Sequence, residues 1–286
     1  MSDPEKRRPR KRFSIGILIS MFVLAVFAIA AIFAGSLAPY NPTKINLANS
    51  LVPPYFQAGG TKEYLAGTDM LGRDIFSRLI HGARVSLIVA ALGVFLSGAI
   101  GSMLGIFAGY WGGKTDAIIS RIVDVMLGFP MILLALILAV VLGPSLFNII
   151  LVVILVYWSR YARQSRAETL KVREMDYVTL ARTAGCSNLT TILRHVGPNV
   201  INSLIVLATF NAGTVITLEA SLSFLGAGIP PPTPSWGSMC ADGRGIIVQA
   251  WWVSFMPGLA ITFVVLSFNL FGDWLRDKLD PKLRNL

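Results

Sequence analysis

Long apolar runs alternate with short polar stretches along the 286-residue chain. A helix of about 20 apolar residues crosses the hydrocarbon layer of a membrane. Runs of this kind occupy residues 15–38, 85–109, 117–142, 146–161, 199–222 and 250–272. The pattern predicts an all-α integral membrane protein with six transmembrane helices, and an even number of spans places both termini on one side.

The apolar runs divide the chain into regions. Residues 1–13 form a basic tail, 14–38 the first span, 39–83 a polar loop rich in proline and glycine, 84–273 a five-helix core and 274–286 a second tail. The first run is longer than the apolar part of a cleaved signal peptide, usually about 7–15 residues, so we expect it to remain as a span.

Two spans carry internal features. Gly101, Gly105 and Gly109 recur every four residues in the second span, and small residues at that spacing let helix backbones approach closely in lipid. Pro130, in the sequence Gly128-Phe-Pro130, is expected to kink the third span.

Residues 176–198 form a polar island between two apolar runs, and we call them the hinge segment. Apolar residues recur there with helical spacing, at Tyr177, Ala181, Ala184, Leu189, Ile192, Leu193 and Val196. Gly185 is expected to end a first helix, because glycine adopts the left-handed cap conformation without strain. Ser187 or Asn188 can cap a second helix, which Gly197-Pro198 is expected to stop, and Pro198 suits the first turn of a following helix. The pattern suits a docking element and, equally, an amphipathic loop lying on the membrane.

The charge distribution predicts the orientation. The chain is 54% hydrophobic and 14% charged, with a formal net charge of +10. In the six-span topology, nineteen of the 25 Lys and Arg residues lie on the side of the termini and the hinge segment. The positive-inside rule places that side in the cytoplasm, so the basic balance is explained without nucleic acid.

Other chemistries find little support in the sequence. Cys186 and Cys240 are too few for a disulfide framework and fall on opposite sides of the predicted membrane. The only histidines are His81 and His195, so we expect neither a metal cluster nor a catalytic set. The stretch 108–115 fits a relaxed nucleotide-binding pattern, but it lies in a turn between two spans and lacks the preceding strand that a phosphate loop needs.

The hinge segment resembles the EAA loop of bacterial ABC-importer permeases, E-A-A-x(3)-G-x(9)-I-x-L-P. Ala181, Gly185 and Pro198 match this motif. The departures are Thr179 for the Glu, Leu180 for an Ala, His195 for the Ile and Gly197 for the Leu. They put in doubt a contact made by the family's Glu, but not the bend at Gly185.

Three further stretches, at 67–87, 223–239 and 272–281, resemble the C-type permeases of dipeptide, oligopeptide and nickel ABC importers. The resemblance covers roughly residues 65–283. The charged residues of the first stretch, Arg73, Asp74 and Arg78, cannot face lipid. We expect them on a solvated helix at the outer surface.

The resemblance implies a type I importer permease in the bacterial inner membrane, with no ATPase site of its own. Its partners would be a second homologous permease, one or two cytoplasmic ATP-binding subunits, an extracytoplasmic substrate-binding protein and membrane lipid. ATP and Mg would bind to the ATPases, leaving this chain without a cofactor. The substrate would be a peptide, or in some members nickel or glutathione.

The same resemblance makes residues 162–198 the coupling loop on which an ATPase docks. Its expected contact residues are Asp176, Tyr177, Ala181, Gly185, Asn188, Arg194, His195 and Pro198.

The fifth span carries a polar wedge that we infer from helical geometry. At 100° per residue, seven small or polar residues fall within about 140°: Asn202, Ser203, Thr209, Gly213, Thr214, Thr217 and Ser221. Because lipid offers no hydrogen-bond partners, the wedge is expected to line the translocation path. Hydrogen bonding between helices of one subunit would explain it equally well.

Two acidic residues within the apolar runs leave an alternative function open. Either Asp124 or Glu219 would serve as a proton relay if the chain were a proton-coupled secondary transporter. The simpler interpretation, which we favour, places each near a membrane boundary where it reaches water or an arginine. A membrane scaffold without transport activity is a third possibility.

Overall fold

The computed structural model describes residues 15–279, and this part of the chain is built from helices and connecting turns. Its β-structure is limited to one isolated bridge between Thr68 and Asp74. Five described helices are long and apolar enough to cross a membrane, and a bent helix pair has the length and composition of a sixth span when its two helices are counted together. The predicted tail at 1–13 lies outside the described residues.

The six spans keep the predicted order but not the predicted lengths. They cover Ile15–Ile32, Ile75–Trp111, the pair Gly113–Gly128 and Met131–Leu142, Leu146–Arg173, Gly197–Phe224 and Trp252–Leu279. The second, fourth and sixth helices extend well beyond their apolar runs, because polar residues continue the helix outside the hydrocarbon layer. The described part of the second tail is helical and belongs to the sixth span.

The third span is broken rather than kinked. Its two helices meet at an angle of 93° across Phe129-Pro130. Pro130 has no backbone N–H to donate, and it disfavours a helical conformation of the residue before it. Phe129 accordingly adopts an extended conformation, and the second helix begins directly after the proline.

The second and fourth spans pack backbone against backbone. A Cβ atom added at Gly101 would lie 2.1 Å from the carbonyl oxygen of Trp158, and one at Gly105 would lie 2.2 Å from that of Ala162. Gly109 lies close to Arg166 and Thr169 in the same manner. This confirms the close approach that the glycine spacing predicts.

Two hydrophobic clusters organise the bundle. The larger cluster includes Tyr157 and Trp236, both fully buried, and draws residues from all six spans. The smaller cluster lies where the second and fourth spans end beside the hinge segment, and it comprises Tyr110, Val172, Val178, Ile192, Val196 and Val200. The hinge segment therefore has a small core of its own.

At the opposite end of the second span, the expectation of a solvated charged helix is wrong. Arg78 is 3% exposed and pairs with Asp69 and Asp242, the latter at 3.1 Å. Asp74 is also buried, and its carboxylate caps the second span by accepting from the backbone N–H of Ser77 at 2.7 Å. These charges escape lipid by pairing and capping inside the protein, where Asp242 is supplied by a short helix, Trp236–Gly243.

Candidate functional site

The hinge segment contains the break that the sequence predicts. A helix covers Asp176–Thr183, and Gly185 follows it in the left-handed conformation with φ of +85°. A second short helix, Asn188–Thr191, is capped by Ser187, whose hydroxyl accepts a hydrogen bond from the backbone N–H of Thr190 at 3.2 Å. The predicted helix end at Gly185 and the cap at Ser187 are confirmed.

The predicted stop at Gly197-Pro198 is wrong. After Asn188–Thr191 the chain makes a π turn over Ile192–Val196 and continues directly into the fifth span at Gly197. Pro198 is tolerated because it falls in the first turn of the helical pattern that restarts after the π turn. The part of the hinge segment from Asn188 onwards therefore forms one continuous helical rod with the fifth span, which ends at Phe224.

The buried face of the hinge differs from the predicted apolar stripe. In the helix Asp176–Thr183 the only buried residue is Val178, whereas the predicted Tyr177 is 40% exposed and Ala181 is half-buried. Large apolar side chains point away from the protein, with exposures from 40% to 67%: Met175, Tyr177, Leu180, Leu189 and Leu193. An exposed row of this kind favours docking onto another surface.

The other expected contact residues also lie at or near this surface. Asp176, Gly185, Asn188, Arg194 and Pro198 are exposed. His195 is half-buried, and its ring centroid lies 6.3 Å from that of Tyr177. A Cβ atom at Gly185 would meet no atom within 4 Å, so space does not explain the glycine there and its positive φ does.

Tyr110, at the end of the second span, is a contact residue that the sequence reasoning missed. Its hydroxyl donates a hydrogen bond of 3.1 Å to the side-chain oxygen of Asn188. The guanidinium of Arg182 lies 5.3 Å from the centre of its ring, and the side chain is 4% exposed. The only available signal was a Tyr-Trp pair closing an apolar run.

Arginines of the fourth span fasten the neighbouring helix ends. Arg173 donates a hydrogen bond of 2.8 Å to the carbonyl oxygen of Gly109. Arg166 forms an ion pair with Asp116 at the start of the third span. Arg163 pairs with Asp124 at 2.8 Å, and both of these side chains are more than half exposed. Asp124 therefore reaches an arginine, as the simpler interpretation expected.

The structure divides the polar wedge of the fifth span. Asn202, Thr214 and Thr217 are exposed, Ser203, Thr209 and Ser221 are half-buried, and Gly213 is buried. Gly213 lies against Val265 and Asn269 of the sixth span, so the middle of the wedge is partly covered by the chain itself.

The hydroxyls of the wedge bond within their own helix. Thr217 donates to the carbonyl oxygen of Gly213 at 3.1 Å, and Ser221 donates to that of Thr217 at 2.7 Å. Thr209 and Thr214 bond in the same way to carbonyl oxygens one turn back. These hydroxyls therefore meet their hydrogen-bonding needs without a second helix.

Glu219 does not reach water or an arginine as the simpler interpretation expected. It is 0% exposed. Its carboxylate accepts hydrogen bonds from Ser86 at 3.0 Å and from Ser223 at 2.8 Å. The carboxylate is enclosed between the second and fifth spans and has no exposed surface.

Neither metal nor phosphate binding finds a structural basis. Within residues 15–279 no three His, Cys, Asp or Glu side chains come together as a metal site. The stretch that fits a nucleotide-binding pattern is preceded by the helix Ile75–Trp111 and not by a strand. The geometry of a phosphate loop is therefore missing there.

Comparison with known proteins identifies the family. Residues 101–285 match the family described as the binding-protein-dependent transport system inner membrane component. The chain belongs to this family. Residues 16–54 match the N-terminal transmembrane domain of oligopeptide transport permease C, which accounts for the first span and the beginning of the loop after it.

Relatives within this family of inner-membrane permeases are similar over nearly the whole chain. A dipeptide transport system permease protein DppC of Escherichia coli K12 is 45% identical over 94% of this chain and 90% of its own length. A di/tripeptide transport system permease protein DppC of Pseudomonas aeruginosa is 42% identical over 94% and 89%. The fold agrees with the solved MetNI methionine ABC transporter, with a TM-score of 0.61 and 18% identity over 72% of this chain and 98% of that one.

Proposed function

We propose that this permease is the C-type subunit of an ATP-driven importer of short peptides. The relatives named for dipeptide and di/tripeptide transport support the substrate class, because their similarity extends over almost the entire chain. A second homologous permease would complete the path. One or two ATP-binding subunits would supply ATP, Mg and hydrolysis, and an extracytoplasmic binding protein would deliver the peptide.

The observation that carries the proposal is the exposed apolar row on a firmly anchored hinge segment. Leu180, Leu189 and Leu193 are each more than 60% exposed. Beneath them, Val178 and Val196 are fully buried in the small cluster beside the second and fourth spans. A surface that is apolar outside and fixed inside suits docking into a groove of a partner. The excess of basic residues on this side supports a cytoplasmic location, where an ATPase would dock.

The continuous helical rod gives this docking a mechanical consequence. Because no loop separates Asn188 from Phe224, a displacement of the docked hinge moves the fifth span directly. That span carries Thr214 and Thr217, whose exposed side chains would face the partner permease and the peptide path. Closure of the two ATPases would in this way alternate access to the path.

Purification of the tagged chain in mild detergent, with identification of the co-purifying chains, tests the assembly. A second six-span permease and one or two ATPases are expected. Leu180→Asp is expected to lose the ATPases and keep the permease, because a carboxylate is costly in an apolar groove. The matched control is Val248→Asp, which changes an apolar residue that is 94% exposed outside the hinge segment. Recovery of a lone chain or a homodimer would contradict the proposal.

Thiol accessibility tests the proposed path. Cysteines at Thr214 and Thr217 are expected to react with water-soluble reagents in at least one transport state of the assembled complex. Val215 is fully buried beside them, so a cysteine there serves as the unreactive control. Protection of the cysteines at both Thr214 and Thr217 in every transport state would exclude the wedge from the path.

A further inference from the structure

Tyr110 joins three parts of the protein at one point. It lies in the last turn of the second span, and its hydroxyl holds Asn188 of the hinge segment at 3.1 Å. Its ring belongs to the small cluster with Val172 of the fourth span and Val178 of the hinge. The side chain is therefore shared by two spans and by the surface on which we propose that an ATPase docks.

Both short helices of the hinge are held by this one side chain. Arg182 at the end of Asp176–Thr183 stacks on the ring, while Asn188 at the start of the next helix accepts from the hydroxyl. Gly185, with its left-handed backbone, lies between them in sequence. A tyrosine at this position thus fixes the angle between the two helices on either side of the bend.

The backbone at Tyr110 is itself fixed. Arg173 donates to the carbonyl oxygen of Gly109 at 2.8 Å. The close glycine packing of Gly101 and Gly105 then locks the second span to the fourth along its length. A force applied to the Tyr110 side chain is therefore carried by two spans and not absorbed by a loose helix end.

We propose that Tyr110 is a positioning residue that couples movement of the hinge segment to the second span. The inference rests on the proposed docking of an ATPase at the hinge. The continuous rod into the fifth span is one route for that movement, and the Tyr110 contact is a second, noncovalent route. With both routes intact, the second and fifth spans move together when the ATPases close.

The second span leads from Tyr110 to the far end of the bundle. It is a helix of 37 residues, which corresponds to about 55 Å at 1.5 Å per residue. Its other end holds the ion pair of Arg78 with Asp69 and the hydrogen bond of Ser86 to Glu219. A shift transmitted through Tyr110 thus arrives at contacts that fasten the opposite face of the permease.

Tyr110→Phe is the decisive variant because it removes only the hydroxyl and keeps the ring. In the complex reconstituted with its second permease, ATPases and peptide-loaded binding protein, both ATP hydrolysis and peptide uptake are measured. We expect hydrolysis to continue and the peptide transported per ATP to fall about threefold to tenfold, the range of one lost hydrogen bond. Tyr161→Phe is the matched control. It removes the hydroxyl of a buried tyrosine of the fourth span, whose ring packs against Gly98 of the second span, the span that also carries Tyr110.

A double-mutant cycle separates positioning from mere packing. Asn188→Ala removes the other partner of the hydrogen bond, so its effect on peptide per ATP should not add to that of Tyr110→Phe. Additive effects, or a Tyr110→Phe complex with unchanged peptide per ATP, would overturn the role of Tyr110 and leave the proposed function standing. If the unmodified chain recruits no ATPase, the proposed function itself has failed.

Discussion

The hydroxyl of Ser86 on the second span donates a hydrogen bond of 3.0 Å to the carboxylate of Glu219 on the fifth. A second hydroxyl, that of Ser223, donates to the same carboxylate at 2.8 Å, and Ser235 contacts Ser223 in turn at 3.3 Å. Glu219 is thus the centre of a hydroxyl network joining two spans to the cap of the helix Trp236–Gly243. The network connects these three elements through one buried carboxylate.

Glu219→Gln is expected to keep more than half of the peptide uptake. The amide oxygen can still accept from one of the two serines, and the amide N–H can donate to the hydroxyl oxygen of the other, so the network survives the loss of the acid. Glu219→Ala leaves those hydroxyls without their partner and is expected to destabilise the protein by about 1–3 kcal/mol. Uptake is measured in cells whose ATP is kept high, and thermal unfolding is measured in detergent.

The same variants distinguish the proton-coupled alternative. A carrier that moves protons through Glu219 would lose uptake in Glu219→Gln, and it would stop when the proton gradient is collapsed at constant ATP. We expect neither result, because the carboxylate has no exposed surface through which protons would enter from water.

Gly185→Val is expected to leave membrane insertion intact and to uncouple ATP hydrolysis from uptake. Because a Cβ atom there meets nothing within 4 Å, the cost comes from the backbone. The φ of +85° is unfavourable for a β-branched residue. The bend would shift by a change of backbone conformation, and the two hinge helices would no longer present their leucines together. The ratio of peptide transported to ATP hydrolysed measures this effect.

Gly185→Asn is the matched control. Asparagine tolerates the left-handed conformation better than most residues, so this variant should retain most of its coupling although it also adds a side chain. Normal uptake per ATP in Gly185→Val would count against a docking role for the hinge segment.

Local features of the fold could be predicted because their causes lie close together in the sequence. A run of apolar residues is sufficient to indicate a span, and Gly185 with Ser187 two residues later is sufficient to indicate a break between helices. Pro130 could be located as a disruption in the same way. Its local effect does not fix how the two flanking helices pack, so the 93° angle could not be foreseen.

Long-range pairings could not be predicted in this way. Arg78 pairs with Asp242, which lies far from it in the sequence. The local sequence around Arg78 shows the same charged residues whether its helix is solvated or buries an ion pair. The burial of Glu219 likewise depends on a serine of another span. Tyr110 was missed because its partners in the hinge segment become visible only after the chain has folded.

Arg78→Ala is expected to destabilise the protein by about 1.5–3 kcal/mol, the range of a hydrogen bond between charged groups, because buried Asp69 loses Arg78 and keeps only Arg73 at 2.7 Å. Both side chains of this pair are less than 5% exposed. Arg163→Ala is the matched control, since its pair with Asp124 is about 60% exposed on each side and should contribute about 1 kcal/mol or less. Thermal unfolding of the purified variants measures the difference, and equal losses would contradict the assigned burial.

The two native cysteines offer a test of burial and of sidedness without introduced cysteines. Cys186 is exposed in the hinge segment, whereas burial raises the pKa of the Cys240 thiol to about 11. Maleimide reacts with the thiolate. At pH 7.5 it should therefore label the Cys240→Ser variant, in which the exposed Cys186 remains. It should barely label the Cys186→Ser variant, in which only the buried Cys240 remains. Labelling of Cys240 should rise about tenfold per pH unit towards its pKa, because the thiolate fraction grows at that rate.

The same cysteines test the orientation in the membrane. In the proposed orientation a membrane-impermeant maleimide reaches Cys186 in inverted vesicles only, and bound ATPase should slow the labelling of Cys186. Labelling of Cys186 in right-side-out vesicles would show that the chain has the opposite orientation in the membrane.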